Sequence, residues 1–333
     1  TRTPLYLMAF GVALNVFADP FFILGFDGHV VFEVLGLTGL ETELYALTGF
    51  DGFGVQGAAL ATIGSRGLGA LIAMGLLLSG RVGLNPALSD FRPQRETVEK
   101  ILRIGAPASV EQSTQSLSVT ILTALIAIAG GEAVAAYGIG SRITSLVFLP
   151  AMGLARGTET MVGQNLGADQ PDRAKRAVYV SAALTAGVLA GVSVIAYLYG
   201  HSIVSVFITG EDAAAVIDIG ADYLRIVGTT FVFLGVFRVI QGAYRGSGST
   251  RAAMIFSVLG LIVIRVPTAY GLLSWTDLGA SGVWYAIAAS NVIAVVLAGA
   301  YFLRGTWAES VVDADGAPGP GPAPTAGTEA DDD

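Results

Sequence analysis

Residues Asn15–Leu24 read NVFADPFFIL, which places an amide, a carboxylate and a proline inside the apolar run 5–26. If that run crosses a bilayer, Asp19 costs about 2.5–3.5 kcal/mol on insertion scales, and an intramembrane acid is by default a functional residue. Asn15 and Asp19 are four apart and stack on one helix face. Pro20 cannot donate to the carbonyl of Val16, which leaves a backbone oxygen free beside the carboxylate. Carboxylate, amide oxygen and free carbonyl make a hard-oxygen setting suited to Na⁺, or a buried acid suited to a proton. The bland alternative is a helix kink with Asp19 as a cap.

The rest of the chain argues for the membrane. Of its 333 residues, 53% are hydrophobic and 13% charged, against about 25% charged in soluble domains. The 44 glycines fit close helix packing in lipid. Gly187/Gly191 and Gly242/Gly246 have GxxxG spacing, which also arises by chance in so glycine-rich a chain. Cysteine is absent, which excludes disulfides, thiolate metal sites and cysteine nucleophiles. The net charge of −8 is concentrated in Glu309, Asp313, Asp315, Glu329 and Asp331–Asp333, leaving residues 1–308 near −1. The chain begins at Thr1 with an apolar run and no signal-peptide pattern, and is expected to be a cut edge of something longer.

A bilayer core takes about 20 helical residues, and eight runs qualify: 5–26, 53–79, 101–129, 133–161, 177–208, 215–241, 252–274 and 280–303. The expected fold is therefore an all-α membrane protein with eight transmembrane helices. Arg81, Arg92, Arg95, Lys100, Arg173, Lys175, Arg176, Arg245, Arg251 and Arg304 fall in alternate connections, while the opposite loops 27–52, 130–132, 209–214 and 275–279 hold acids and no Lys or Arg. The positive-inside rule then puts both termini in the cytoplasm. The segment 306–333 is rich in Pro, Gly and Asp and is expected to be a disordered acidic tail.

An internal repeat links the two ends. GFGVQGAALATIGS at 52–65 aligns with LGASGVWYAIAAS at 278–290, matching Gly54 to Gly279, Gly57 to Gly282, Ala61 to Ala286 and Ser65 to Ser290. The span before each copy carries a proline beside a polar residue, Asp19-Pro20 or Arg265-Val266-Pro267. If the second copy ends a six-span unit, the first ends another unit whose first four spans are missing here.

Two further places carry polar chemistry. Thr62 adds a hydroxyl on the second span. The third span, GAPASVEQSTQSLSVT at 105–120, puts Glu111, Gln115 and Ser118 in one stripe behind Pro107. Such a stripe faces water or partner helices; it reads as a cavity wall with Glu111 as its charge, against an interhelical hydrogen-bond seam. Arg156/Glu159 and Asp222/Arg225 read as structural ion pairs. Arg66, Arg142 and Arg238 read as interhelical anchors. Arg265 could gate, orient substrate or neutralise an acid on a neighbour. His29 and His201 are scattered and make no metal site. No GxSxG, P-loop or HExxH motif and no basic face is present, so the chain is expected to be neither an enzyme nor a nucleic-acid binder.

GQNLGADQPDRAKR at 163–176, FITGEDAAAVIDIGADYLRI at 207–226 and QGAYRGSGSTR at 241–251 resemble the loops and span ends of MATE (multidrug and toxic compound extrusion) transporters, and NVFADPFFILG with GVQGAALAT resembles that family's fifth and sixth helices. The resemblance covers residues 1 to about 305 and implies helices 5–12 of a twelve-helix, two-lobe fold. Residues 1–80 would then close the N-lobe, 81–100 form the cytoplasmic linker and 101–305 the C-lobe six-helix bundle. It implies a cation-coupled (Na⁺ or H⁺) multidrug efflux antiporter of the cell membrane, without cofactor, acting as a monomer on small cationic amphiphiles. In the archaeal and DNA-damage-inducible-F-like branch the cation site matches Asn15, Asp19 and Thr62, its remaining Asp lying on a helix this sequence lacks. Other branches use an acid that matches Glu111, with Gln115 beside it. Pro20, Pro107 and Pro267 are expected kinks. Ser249 departs from a frequent Asp, and loop 27–52 is about twenty residues longer than its repeat partner. A lipid-linked oligosaccharide flippase of the same superfamily, or a truncated non-transporting remnant, are the alternatives.

Overall fold

A computed structural model describes residues 2–26, 32, 36, 38–80, 92–210 and 213–308. Among them there is no strand. The chain divides into two compact units, Thr1–Gln94 and Arg95 onward.

The first unit pairs α1 (Arg2–Leu24) with α3 (Val55–Leu78), joined through a short helix, α2 (Thr38–Thr48). The last carbonyls of a helix lack intrahelical donors, and here the returning chain supplies them. Phe53 N–H donates to Phe22 O (2.8 Å) and Gly54 N–H to Ile23 O (3.0 Å). Gly25 and Gly52 adopt φ of 73° and 79° to make this clamp, a conformation that disfavours side chains. Gly57 lets the helices close: a Cβ there would lie 1.9 Å from Phe22 O. Of the connection 27–52, residues 27–31, 33–35 and 37 lie outside the described residues, as does His29.

The second unit contains α4 (Arg95–Ile128), α5 (Gly131–Gly167), α6 (Pro171–Ser205), α7 (Ala213–Gly228), α8 (Phe231–Gly246), α9 (Thr250–Val258), α10 (Arg265–Trp275) and α11 (Ala280–Leu303). A π-helical segment, Leu259–Ile264, joins α9 to α10. Pro171 opens α6 and Asp172 sits in its first turn, favourable for the unbonded amides and the helix dipole there. Two apolar clusters fill the bundle. One gathers Leu122, Phe148, Leu224, Phe231 and Trp284; the other gathers Val162, Val178, Phe237, Tyr244 and Phe302.

Among the described residues six helices are long and apolar enough to cross a membrane. The expected span 215–241 is instead α7 and α8, bent by 52° at a break between Gly228 and Phe231; taken as one span they make seven. Thr230 Oγ1 turns back onto Val227 O (2.7 Å) at this break, a local bond that competes with helix continuation. The expected span 101–129 overlaps α4 up to Ile128, and the polar stripe lowers the hydropathy of this helix so that it is not among the six.

The expected kinks are not breaks. Helices α1 and α4 continue through Pro20 and Pro107, and Pro267 lies in the first turn of α10. Among the described residues the non-helical one within a helix is Tyr199 (φ −114°, ψ 16°) in α6, away from any proline of its helix interior. Equal GxxxG spacings also diverge. A Cβ on Gly242 would meet Ala155 O at 2.5 Å and one on Gly246 would meet Glu159 O at 2.3 Å, so α8 lies backbone to backbone on α5, whereas Gly187 and Gly191 face open space. Thr306–Ala308, expected to begin the tail, form a 3₁₀ turn with Trp307 buried against Phe302 (ring centroids 4.8 Å apart). Residues 309–333, and 81–91 of the expected linker, lie outside the described residues.

Candidate functional site

In the first unit the clamp sets the level of the polar residues. Asn15 lies eight residues before Ile23, and Thr62 eight after Gly54. At about 1.5 Å per residue both stand roughly 12 Å from the clamp on antiparallel helices, side by side. Asn15 Nδ2 donates to Asp19 Oδ1 (3.0 Å) and to Thr62 Oγ1 (3.5 Å). All three residues are half-buried. Among the described residues no cationic side chain lies within ion-pair distance of Asp19. A half-turn of the Asn15 amide exchanges its donor for its carbonyl oxygen, after which amide, carboxylate and hydroxyl offer oxygen to one hard cation. Ser65 Oγ, one turn on, donates to Thr62 O (3.1 Å) and fixes that turn of α3.

In the second unit the stripe on α4 is brought against protein. Glu111 is 8% exposed and bonds Arg245 (Nη1 to Oε1, 2.8 Å), which also reaches Glu159 (Nε to Oε2, 3.2 Å). Arg156 completes the chain at 3.3 Å from Glu159, on an exposed edge. Gln115 Oε1 accepts from Arg238 Nη2 (2.6 Å), and Ser118 Oγ donates to Leu261 O in the π segment (3.1 Å). Within its own unit the stripe is therefore an interhelical seam, where a cavity wall was expected. The reason is that a carboxylate in a low-dielectric bundle is held by a paired, hydrogen-bonded cation. Asp222 and Arg225 form their expected pair (3.5 Å).

Several partners escape a reading of the sequence. Arg245 looks like a loop base, yet it closes α8 with its side chain 19% exposed. Two acids in apolar helices are a signal that a buried base exists somewhere, but not which one. Arg265, left open between three roles, donates to Ser290 Oγ (Nε, 2.7 Å) and Asn291 Oδ1 (Nη2, 2.7 Å). Asn291 Nδ2 in turn donates to Thr230 Oγ1 (3.0 Å), at the break between α7 and α8.

Comparison with known proteins places the chain. A family model described as MatE matches residues 107–271. Over these residues, just under half of its length, the chain resembles the MatE family. It is 28% identical over 317 residues to "Probable multidrug resistance protein NorM" of Thermotoga maritima, covering 94% of this chain and 62% of that protein. A solved structure described as MATE in complex with MaL6 superposes with a TM-score of 0.77 at 25% identity, covering 92% of this chain and 63% of the other. The outward-facing structure of a multidrug resistance MATE family transporter of the MOP superfamily superposes with a TM-score of 0.75, also at 25% identity and over the same shares. The chain thus spans just under two thirds of the length of these relatives.

Proposed function

We propose that the protein is a cation-coupled efflux antiporter of the cell membrane, exporting small organic, cationic amphiphilic substrates by alternating access. Na⁺ or H⁺ is the coupling ion and no other cofactor takes part. The observation that carries this reading is Asp19: an acid in an apolar helix, bonded to Asn15 abreast of Thr62, with no cationic side chain beside it among the described residues. The substrate class is supported by relatives whose names refer to multidrug resistance. The spans are eight, with α4 as the one whose polar stripe is covered by protein, and the Lys/Arg alternation supports cytoplasmic termini. The unit of action is the monomer.

In this mechanism the ion enters from outside and is held by Asn15, Asp19 and Thr62. It neutralises Asp19, bends α1 at Pro20, and lowers affinity for substrate. One charge falling through 100 mV releases about 2.3 kcal/mol, enough for a substantial shift between two states. Glu111 serves as a second coupling acid with Gln115 beside it, and a cation or proton reaching it must displace Arg245. The test is gradient-driven export of a fluorescent cation by cells producing the intact gene product. Asp19→Asn is expected to cut export at least tenfold at equal protein level, and unchanged export removes Asp19 from the mechanism.

A further inference from the structure

We propose that Arg265 is the centre of an anion-binding site inside the second unit, taking one small monovalent anion, a halide or a carboxylate group. The argument starts from charge. Arg245 in the same bundle is neutralised by two carboxylates. Arg265 bonds only to neutral oxygens, and among the described residues no carboxylate lies within 4.0 Å of it. A guanidinium carries five N–H donors, and two bonds to a hydroxyl and an amide neither use them all nor cancel its charge.

A second donor without an acceptor lies in the same cluster. Trp284 is 0% exposed, and its Nε1 has no hydrogen-bond partner among the described residues. Its ring stacks on Tyr137 (centroids 5.8 Å, planes at 14°) and meets Tyr223 edge-on (5.0 Å, 89°). Both tyrosines lie within electrostatic reach of Arg265. Buried donors are satisfied as a rule, so the orphaned N–H of Trp284, together with a half-buried cation that no carboxylate neutralises, calls for an acceptor that carries negative charge. The backbone does not offer one from the π segment's Leu261 without competition, because that carbonyl already accepts from Ser118. Arg265 is the one cation bonded to Ser290 and Asn291, which favours a monovalent ligand over a phosphate dianion, and the close aromatic packing favours a small one.

The repeat adds an independent line. Gly54 (φ 56°, ψ −129°) and Gly279 (φ 55°, ψ −134°) share one unusual conformation, and Ser65 and Ser290 each donate to the carbonyl three residues back (3.1 and 2.8 Å). On this common skeleton the first unit carries an acid and the second a base, so the ligand is expected to reverse sign with them.

The test follows thermal unfolding of the purified protein in chloride, acetate or the bulkier methanesulfonate at fixed ionic strength. A saturable rise in Tm of at least ~3 °C is expected in chloride or acetate, and it should vanish in Arg265→Gln. A rise confined to chloride identifies a free halide; one confined to acetate identifies the carboxylate of a larger molecule. No saturable rise in either salt, or the same rise in Arg265→Gln, overturns the proposal. If Arg265→Gln does not fold, Trp284→Phe keeps the charge and should weaken the anion response severalfold. Crystals of the unaltered protein soaked in bromide or in 3-bromopropionate should then show an anomalous peak beside Arg265, and a site empty in both overturns the proposal.

Discussion

The hairpins α1/α3 and α10/α11 are built on one plan and carry opposite charges. Each has a proline in its first helix, a glycine of positive φ opening its second, and a serine bonded to its own helix, which lies one turn beyond the polar residues in the first hairpin and among them in the second. The difference lies in what is hung on the plan. Asp19 sits with Asn15 and Thr62 in the first; Arg265 sits with Ser290 and Asn291 in the second. Tightness differs too, since a Cβ at Gly57 would lie 1.9 Å from a backbone oxygen, while at the equivalent Gly282 the nearest atom, Leu272 Cβ, is 3.1 Å away. The comparison teaches that backbone fixes the level of a polar site in such a hairpin, and the side chains then choose its sign.

The largest expected effect breaks the shared plan on one side only. Gly57→Ala should cost about 3 kcal/mol or more in reversible unfolding, because neither helix backbone can yield, whereas Gly282→Ala should cost about 1 kcal/mol by nudging Leu272. Next, Asn291→Ala should cost about 2 kcal/mol, since it strips an acceptor from Arg265 and a donor from Thr230 together. A urea titration that finds Asn291→Ala neutral would show that the guanidinium is held by something else. The serines sharpen the comparison: Ser290→Ala should lose about 1 kcal/mol because Ser290 accepts from Arg265, and Ser65→Ala less than about 0.5 kcal/mol because its bond is local. Smallest of all, exposed Arg66, the repeat counterpart of Asn291, should tolerate Ala within about 0.5 kcal/mol.

How much of this was legible depended on distance along the chain. The Asn15/Asp19 pair could be read because helix periodicity alone brings the two together, and Thr62 because its hydroxyl stands out in an apolar span and the family resemblance pointed to it. The bond from Arg245 to Glu111 spans 134 positions, and nothing in composition selects Arg245 over Arg238. Identical GxxxG spacings at Gly187 and Gly242 have opposite fates because spacing does not report which face meets a neighbour. The break at Gly228–Phe231 was hidden inside an apolar run, since hydropathy does not register a threonine hydroxyl bonding its own backbone. Tyr199 likewise bends α6 without the proline that sequence reading relies on.

The π segment before Arg265 has a consequence for how such a protein can change. Arg265 N–H bonds the carbonyl of Gly260, five residues back, so the segment accommodates a residue that a regular helix has no room for. Rewinding these six residues to 3.6 per turn without removing one would swing everything upstream by ~100° relative to Arg265. Either Arg265 keeps Ser290 and Asn291 while Ser118 loses Leu261, or the reverse. The electrical character of that half of the molecule is thus governed by how the residues before the arginine are wound as much as by which ones they are.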